Sequence, residues 1–281
     1  MRLRPHEVIF GAFLLITAGR LLAAGGAAGL CLGFAGMAAA IVVMAMIATN
    51  RTSLAMERVR LALFPVLVNV VYWQLGPVVK HLGSNNRDAA LLRADRMLLT
   101  DTPAVLLGAW TPPLLTDFLS GCYLLFFPGV LAAFFVALLR PEPHGARLFD
   151  GLIGLYGIGF LGYTLIPAAG PHLAMPDAFP SALTGGWLTE TNAALVASGS
   201  NRVDVFPSLH TAITMFLMGS LWPRRRRVFL ALLLPAAGLL TATLYLRYHY
   251  AVDLLAGLLL AASALYLTRN PDSHEPHPPL P

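Results

Sequence analysis

Eight apolar stretches, each near the length of about 20 residues that carries a helix across the hydrocarbon core of a bilayer, recur along this chain of 281 residues. They fall at 8–24, 27–48, 60–79, 114–139, 148–166, 206–222, 227–246 and 250–268. Hydrophobic residues make up 57% of the sequence and charged ones 12%, against about 25% charged in an ordinary soluble domain. A water-soluble fold of this size could not hide that much apolar surface. A membrane β-barrel would show weakly alternating segments of about ten residues, a pattern this sequence lacks. Backbone groups that face lipid must satisfy one another. The expectation is an all-α fold, a polytopic transmembrane helical bundle with about eight spans.

The formal net charge of +5 raises nucleic acid as a partner, but the distribution of charge argues for none. Arg2 and Arg4 precede the first span, Arg51, Arg58 and Arg60 follow the second, and Arg140 and Arg147 follow the fourth. The run Arg224 to Arg227 follows the sixth, and Arg269 follows the eighth. These are alternate loops, as the positive-inside rule requires of cytoplasmic ones. Both termini are therefore expected inside a cell's inner (plasma) membrane. The stretch 80–113 opposes this with Lys80, Arg87, Arg93 and Arg96 on the outer side, where its length weakens the vote. The first apolar stretch, with basic residues ahead of it, reads as a retained helix rather than a cleaved signal. Cys31 and Cys122 sit in separate spans without a CxxC pattern, so neither a disulfide framework nor a zinc site is indicated.

Residues 1–80 then form N-terminal transmembrane helices, 81–268 a second membrane domain, and 269–281 a Pro-rich disordered tail whose His274 and His277 are bystanders. Two connections on the expected outer side are long. The segment 86–113 mixes apolar and charged residues as an interfacial helix does. The segment 167–205 is rich in Gly, Pro, Ser, Asn and Ala and reads as a loop. Loops of that length in compact domains are uncommon and usually functional.

Three polar clusters share this side: "GYTLIPAAGPH" at 162–172, "SNRVDVFPSLHTA" at 200–212 and "TLYLRYHYAVDLLAG" at 243–257. In the second, Pro207 suits the first turn of a helix. The N–H groups of Ser208, Leu209 and His210 would then lack intrahelical acceptors and face an anion with the positive end of the helix dipole behind them. In the third, His249 and Asp253 are four apart and would share one helix face. An ionisable pair inside a span is costly and usually faces the bundle interior or an aqueous cavity. The carboxylate can hold one imidazole nitrogen and leave the other to attack. Arg247, at the end of the seventh span, can grip phosphate oxygens in bidentate fashion.

"FPSLH" followed by "RYHYAVDLLAG" resembles the second and third signature motifs of the type-2 phosphatidic acid phosphatase superfamily. The resemblance is nearest to the branch of the inositol phosphorylceramide synthases, an inositolphosphotransferase branch whose third motif likewise carries HYxxD. The "IPAAGP" loop and the upstream "DRMLLTDTP" stretch resemble that branch too. The likeness covers roughly 95–260 and implies a six-helix phosphatase-like core. It also implies roles. His249 would be the nucleophile that forms a phosphohistidine, Asp253 would orient it, and His210 would protonate the leaving group and then activate the acceptor. Arg247, Ser208 and His172 would bind phosphate oxygens. Such enzymes work without a metal or other cofactor. Their partners are membrane lipids: a lipid phosphate substrate and, for transfer, an alcohol acceptor. The pattern departs from the family in two places. The first cluster lacks the usual Lys and Arg and has His172 where related proteins often have Arg. Thr243 also stands where the third motif usually opens with Arg.

Two other classes compete. His210 and His249 are also residue types that ligate haem or another metal, although Arg247 and a helix N-terminus at the same spot favour an anion over a cation. A channel or transporter could line its pathway with these polar residues, but transporters often carry internal repeats, and none is recognisable here.

Overall fold

Three long helices open the chain: α1 (Pro5–Ala23), α2 (Ala28–Asn50) and α3 (Leu54–His81). Two short ones follow, α4 (Asp88–Leu98) and α5 (Pro103–Leu106). The fourth apolar stretch is split at Leu125 into α6 (Pro113–Leu124) and α7 (Phe126–Leu139), which together run 27 residues. Next come α8 (Pro143–Leu165), the single turn α9 (Pro171–Ala174) and a 3-10 turn, Pro176–Ala178. The chain then forms α10 (Trp187–Gly199), α11 (Leu209–Leu221), α12 (Arg226–Tyr245) and α13 (Ala251–Thr268). This computed structural model describes residues 3–25, 27–50, 53–139, 143–179, 181–222 and 225–269. Arg2, Arg51, Arg140, Arg224, and His274 and His277 of the tail lie outside the described residues.

The protein is a polytopic, all-α membrane bundle, and among the described residues seven helical units are long and apolar enough to cross a bilayer. The sixth apolar stretch, 206–222, gives a shorter helix than its sequence implies. Residues 206–208 approach α11 in non-helical conformation, leaving a helix of 13 residues. At 1.5 Å per residue that is about 20 Å, against a hydrocarbon core of about 30 Å.

One expectation for the long connections needs correcting. The segment 167–205 is not all loop, because α10 occupies 13 of its residues. Its one-sided composition hid a helix whose buried contacts are polar, Thr189 and Asn192. In the segment 86–113, α4 does have an apolar and a charged side, but it is docked on α13 through its buried face of Asp88, Leu91 and Asp95.

One hydrophobic core runs through the bundle, with Phe10 and Phe13 of α1, Phe64 of α3, Phe149 and Phe160 of α8, and Phe216 of α11. The first three helices are thus part of the same packing unit as the rest. Close approach around α11 depends on small residues, as helix contacts in membranes commonly do. A Cβ on Gly159 of α8 would meet Leu209 at 2.5 Å, and one on Gly257 of α13 would meet the Ser208 carbonyl oxygen at 2.6 Å. Helix α11 is therefore wedged between α8 and α13.

At the end of the bundle where α1, α3 and α8 begin, polar and charged groups pair, and the Arg60–Glu7 pair is buried. Arg60 grips Glu7 with two hydrogen bonds of 2.6 Å, Arg4 pairs with Glu57, and His6 pairs with Asp150. The fully buried His6 ring lies edge-on to Phe64 and Phe149.

Candidate active site

The other end of the bundle gathers the histidines. Helix α12 stops in a Schellman motif, in which the N–H of Tyr248 donates to the Thr243 carbonyl at 3.0 Å and that of Arg247 to the Leu244 carbonyl at 3.1 Å. Glycine usually fills the left-handed position of this motif. Arg247 fills it here with φ of 68°, a conformation that costs an L-residue about 1–2 kcal/mol. The turn places His249 and Tyr250 ahead of α13, and Tyr250 is that helix's N-cap.

His249 therefore precedes the helix, contrary to the expectation that it shares a helical face with Asp253. The pair forms by a different route. Asp253 is the third residue of α13, and its Oδ2 accepts the Tyr250 N–H at 2.8 Å and faces His249 Nδ1 at 3.3 Å. Both side chains are buried, and Asp253 Oδ1 has no protein partner. Burial pushes the His249 imidazole down to about 4, opposed by the charge of Asp204 and the Val205 carbonyl. It is therefore neutral at neutral pH.

On the facing helix, Pro207 lies outside the first turn and Ser208 is the N-cap, accepting the Thr211 N–H at 3.3 Å. The Ser208 N–H is not available to an anion, because it donates to the Asp253 carbonyl at 3.1 Å. That bond ties the two helix starts together. It sets the His210 and His249 rings 5.6 Å apart between centroids, inclined at 68°. The other faces of His210 are covered by Tyr123 at 4.7 Å and Phe126 at 4.4 Å, which flank the break between α6 and α7. Its Nδ1 is buried without a partner.

The remaining candidates sit around this pair. Arg247 donates to the Ser181 carbonyl at 3.0 Å and lies 4.1 Å over the Phe179 ring, while its buried Nε has no partner. His172 is half-buried, and both its backbone N–H (2.9 Å) and its Nδ1 (3.2 Å) point to the Arg247 carbonyl. Nδ1 must then carry the proton, and burial pushes this imidazole below its usual range. Gly170, just before, has φ of 88°, and a Cβ there would meet the Tyr248 carbonyl oxygen at 2.4 Å. The "AAGPH" loop can lie against the histidine-bearing turn only with glycine at that point. Of the other polar loop residues, Asp204 accepts the Tyr72 hydroxyl at 2.6 Å, and Asn201 donates to the Tyr72 carbonyl at 2.7 Å. They fasten the loop to α3.

Several residues at the site were not singled out from the sequence. Tyr123 and Phe126 had no motif to mark them. The Tyr248 ring lies 5.1 Å from that of Tyr123, tilted at 58°, and its hydroxyl accepts a hydrogen bond of 3.0 Å from Asn192. Asp88 and Asp95 did leave a signal, two acids seven apart on the buried face of α4. Among the described residues, no group of three or more His, Cys, Asp or Glu side chains is placed to hold a metal ion.

A family model described as the PAP2 superfamily matches residues 89–267, well over half of the chain. The chain belongs to the PAP2 superfamily. Members of that superfamily are generally phosphatases or phosphotransferases, and apolar helices make this one a membrane protein of that kind. No curated protein and no solved structure matches the chain. Both histidines, Arg247 and Asp253 fall within the PAP2 match, whereas α1 to α3 precede it.

Proposed function

We propose that this PAP2 protein is a lipid phosphatase or phosphotransferase that works through a phosphohistidine on His249. The observation that carries the reading is the meeting of two imidazoles from remote parts of the chain, 5.6 Å apart, one of them backed by a buried carboxylate. With Nδ1 held by Asp253, the other nitrogen of His249 attacks phosphorus, and the bond to the leaving oxygen breaks. His210 gives that oxygen a proton. It then takes one from the acceptor as the acceptor oxygen attacks the phosphohistidine and frees His249. General acid–base catalysis of this kind contributes typically 10²–10⁴-fold.

Arg247 and Ser208 hold phosphate oxygens in this scheme. The left-handed backbone of Arg247 supports its part, since strained residues of this kind cluster at functional sites. His172 fixes the Arg247 carbonyl and joins the phosphate contacts only as its imidazolium. The reaction needs no metal ion. The acceptor is water or the hydroxyl of a second lipid or a polyol. The likeness of the third motif to the inositolphosphotransferase branch favours transfer. The described basic residues Arg4, Arg58, Arg60, Arg147 and Arg225 to Arg227 lie at the helix ends remote from the histidines. By the positive-inside rule this charge distribution supports a reaction at the extracytoplasmic face of the inner membrane with both termini inside, although Lys80, Arg87, Arg93 and Arg96 stand on the histidine side.

The test is to offer detergent-purified protein a panel of prenyl, glyceride and sphingoid phosphates, with and without inositol and in the presence of a metal chelator. Products are resolved by thin-layer chromatography. Phosphate release or head-group transfer that survives chelation and disappears in His249→Ala is the expected result. An unchanged rate in His249→Ala overturns the assignment of the nucleophile.

A further inference from the structure

We propose that Asp95 is a positioning residue for His249, acting through the start of α13. This rests on the phosphohistidine reading above and adds a residue to it. Asp95 is fully buried, and its two carboxylate oxygens accept the N–H groups of Ala251 and Val252, each at 3.0 Å. Those are the first two residues of α13, whose N–H groups have no acceptor within the helix. A carboxylate from another helix thus caps α13 from outside, where the positive end of the helix dipole also favours it.

Asp95 is itself held in place. The Thr102 hydroxyl, fully buried just before α5, donates to Asp95 Oδ2 at 2.7 Å. Two turns earlier on the same face, Asp88 accepts the Tyr250 hydroxyl at 2.9 Å and the N–H groups of Ala169 and Gly170 at 2.8 and 2.9 Å. The two acids of α4 therefore clamp the chain at Tyr250, Ala251 and Val252, directly after His249. Within the turn, Asp253 orients the imidazole ring. Asp95 orients the backbone that carries both groups. Neither Asp95 nor Thr102 contacts either histidine ring, so loss of Asp95 acts by letting the nucleophile drift, and misplacement of about 1 Å can cost about 10²-fold.

The probe is orthovanadate, which binds a reactive imidazole in the five-coordinate geometry of phosphoryl transfer. It is titrated against the full-length protein in detergent, alongside a melting curve. Asp95→Asn keeps the shape but turns an N–H donor toward one of the two helical N–H groups. It is expected to weaken vanadate binding by about tenfold or more while the melting temperature moves little. Thr102→Val, which leaves Asp95 in place but removes its anchor, should weaken binding by a smaller factor. A purely structural role would lower the melting temperature or folded yield without changing the affinity of the folded fraction, and that result overturns the proposal. So does wild-type affinity in either variant that folds. Equal vanadate binding by wild type and His249→Ala instead overturns the phosphohistidine reading itself, which separates the two failures.

Discussion

Among the described residues two buried histidines each pair with a carboxylate, His6 with Asp150 at one end and His249 with Asp253 at the other. In isolation they look alike. Their surroundings differ. His6 is boxed in by Phe64 and Phe149 beside the Arg60–Glu7 pair, and its Nε2 is buried without a partner, so its surroundings are two apolar rings and an ion pair already formed. His249 faces a second imidazole, an arginine with an unpartnered Nε, and a carboxylate with an unpartnered oxygen. Buried polar groups are ordinarily satisfied. Unpartnered buried atoms occur at both ends, so what sets the His249 end apart is a second imidazole beside the pair and an arginine not committed to a carboxylate, whereas the arginine at the His6 end is committed to Glu7. A His–Asp pair alone says little about which of the two ends is the site.

The comparison fails most visibly if both pairs behave alike on mutation. His249→Ala should abolish turnover, whereas His6→Ala should leave the rate per folded molecule within about threefold, since its losses fall on stability instead. Phosphate release from a lipid phosphate, normalised to folded protein, reads both. Next in size, His210→Ala should lower the rate by about 10²–10⁴-fold on an alkyl phosphate, and by much less on an aryl phosphate whose leaving group needs no proton. Equal losses on the two substrates would remove His210 from the acid role. Smaller, and at the opposite end, Arg60→Ala leaves Glu7 buried and uncompensated. A loss of about 3–5 kcal/mol is expected for breaking such a pair, read as a lower melting temperature with normal turnover in the surviving fraction.

The smallest effect is on pH. His249 must be neutral to attack, so activity is lost as pH falls through its value of about 4. The negative charge of Asp204 raises that value, and Asp204→Asn should shift the acid limb of kcat/KM to lower pH. A shift the other way would mean that the limb belongs to another group.

Much of this was legible in the sequence, and the misses share a cause. Span positions follow from apolar length alone, and the motifs around His210, His249 and Asp253 drew attention to the residues that meet. What pattern reading could not supply was backbone geometry at helix ends. It put Pro207 in the first turn of α11 and His249 on the face of a helix, whereas the N-caps are Ser208 and Tyr250. Spacing of four reads as one helical face only if the helix has already begun. Nor could it show that α4 reaches back to cap α13, because a contact between residues 95 and 251 leaves no local trace. The helical α10 was missed since its buried groups are Thr189 and Asn192 rather than an apolar stripe.

The backbone bond from Ser208 to Asp253, with Gly257 pressed against the same turn, has a mechanical result. Helices α11 and α13 are riveted at their tips, and the gap between the two rings cannot widen to admit a bulky head group. Room for a larger group then depends on the other walls, formed by Tyr123 and Phe126 against His210 and by Phe179 against Arg247. Variation in those walls, rather than in the histidine-bearing helices, is where preference for one lipid over another would be tuned.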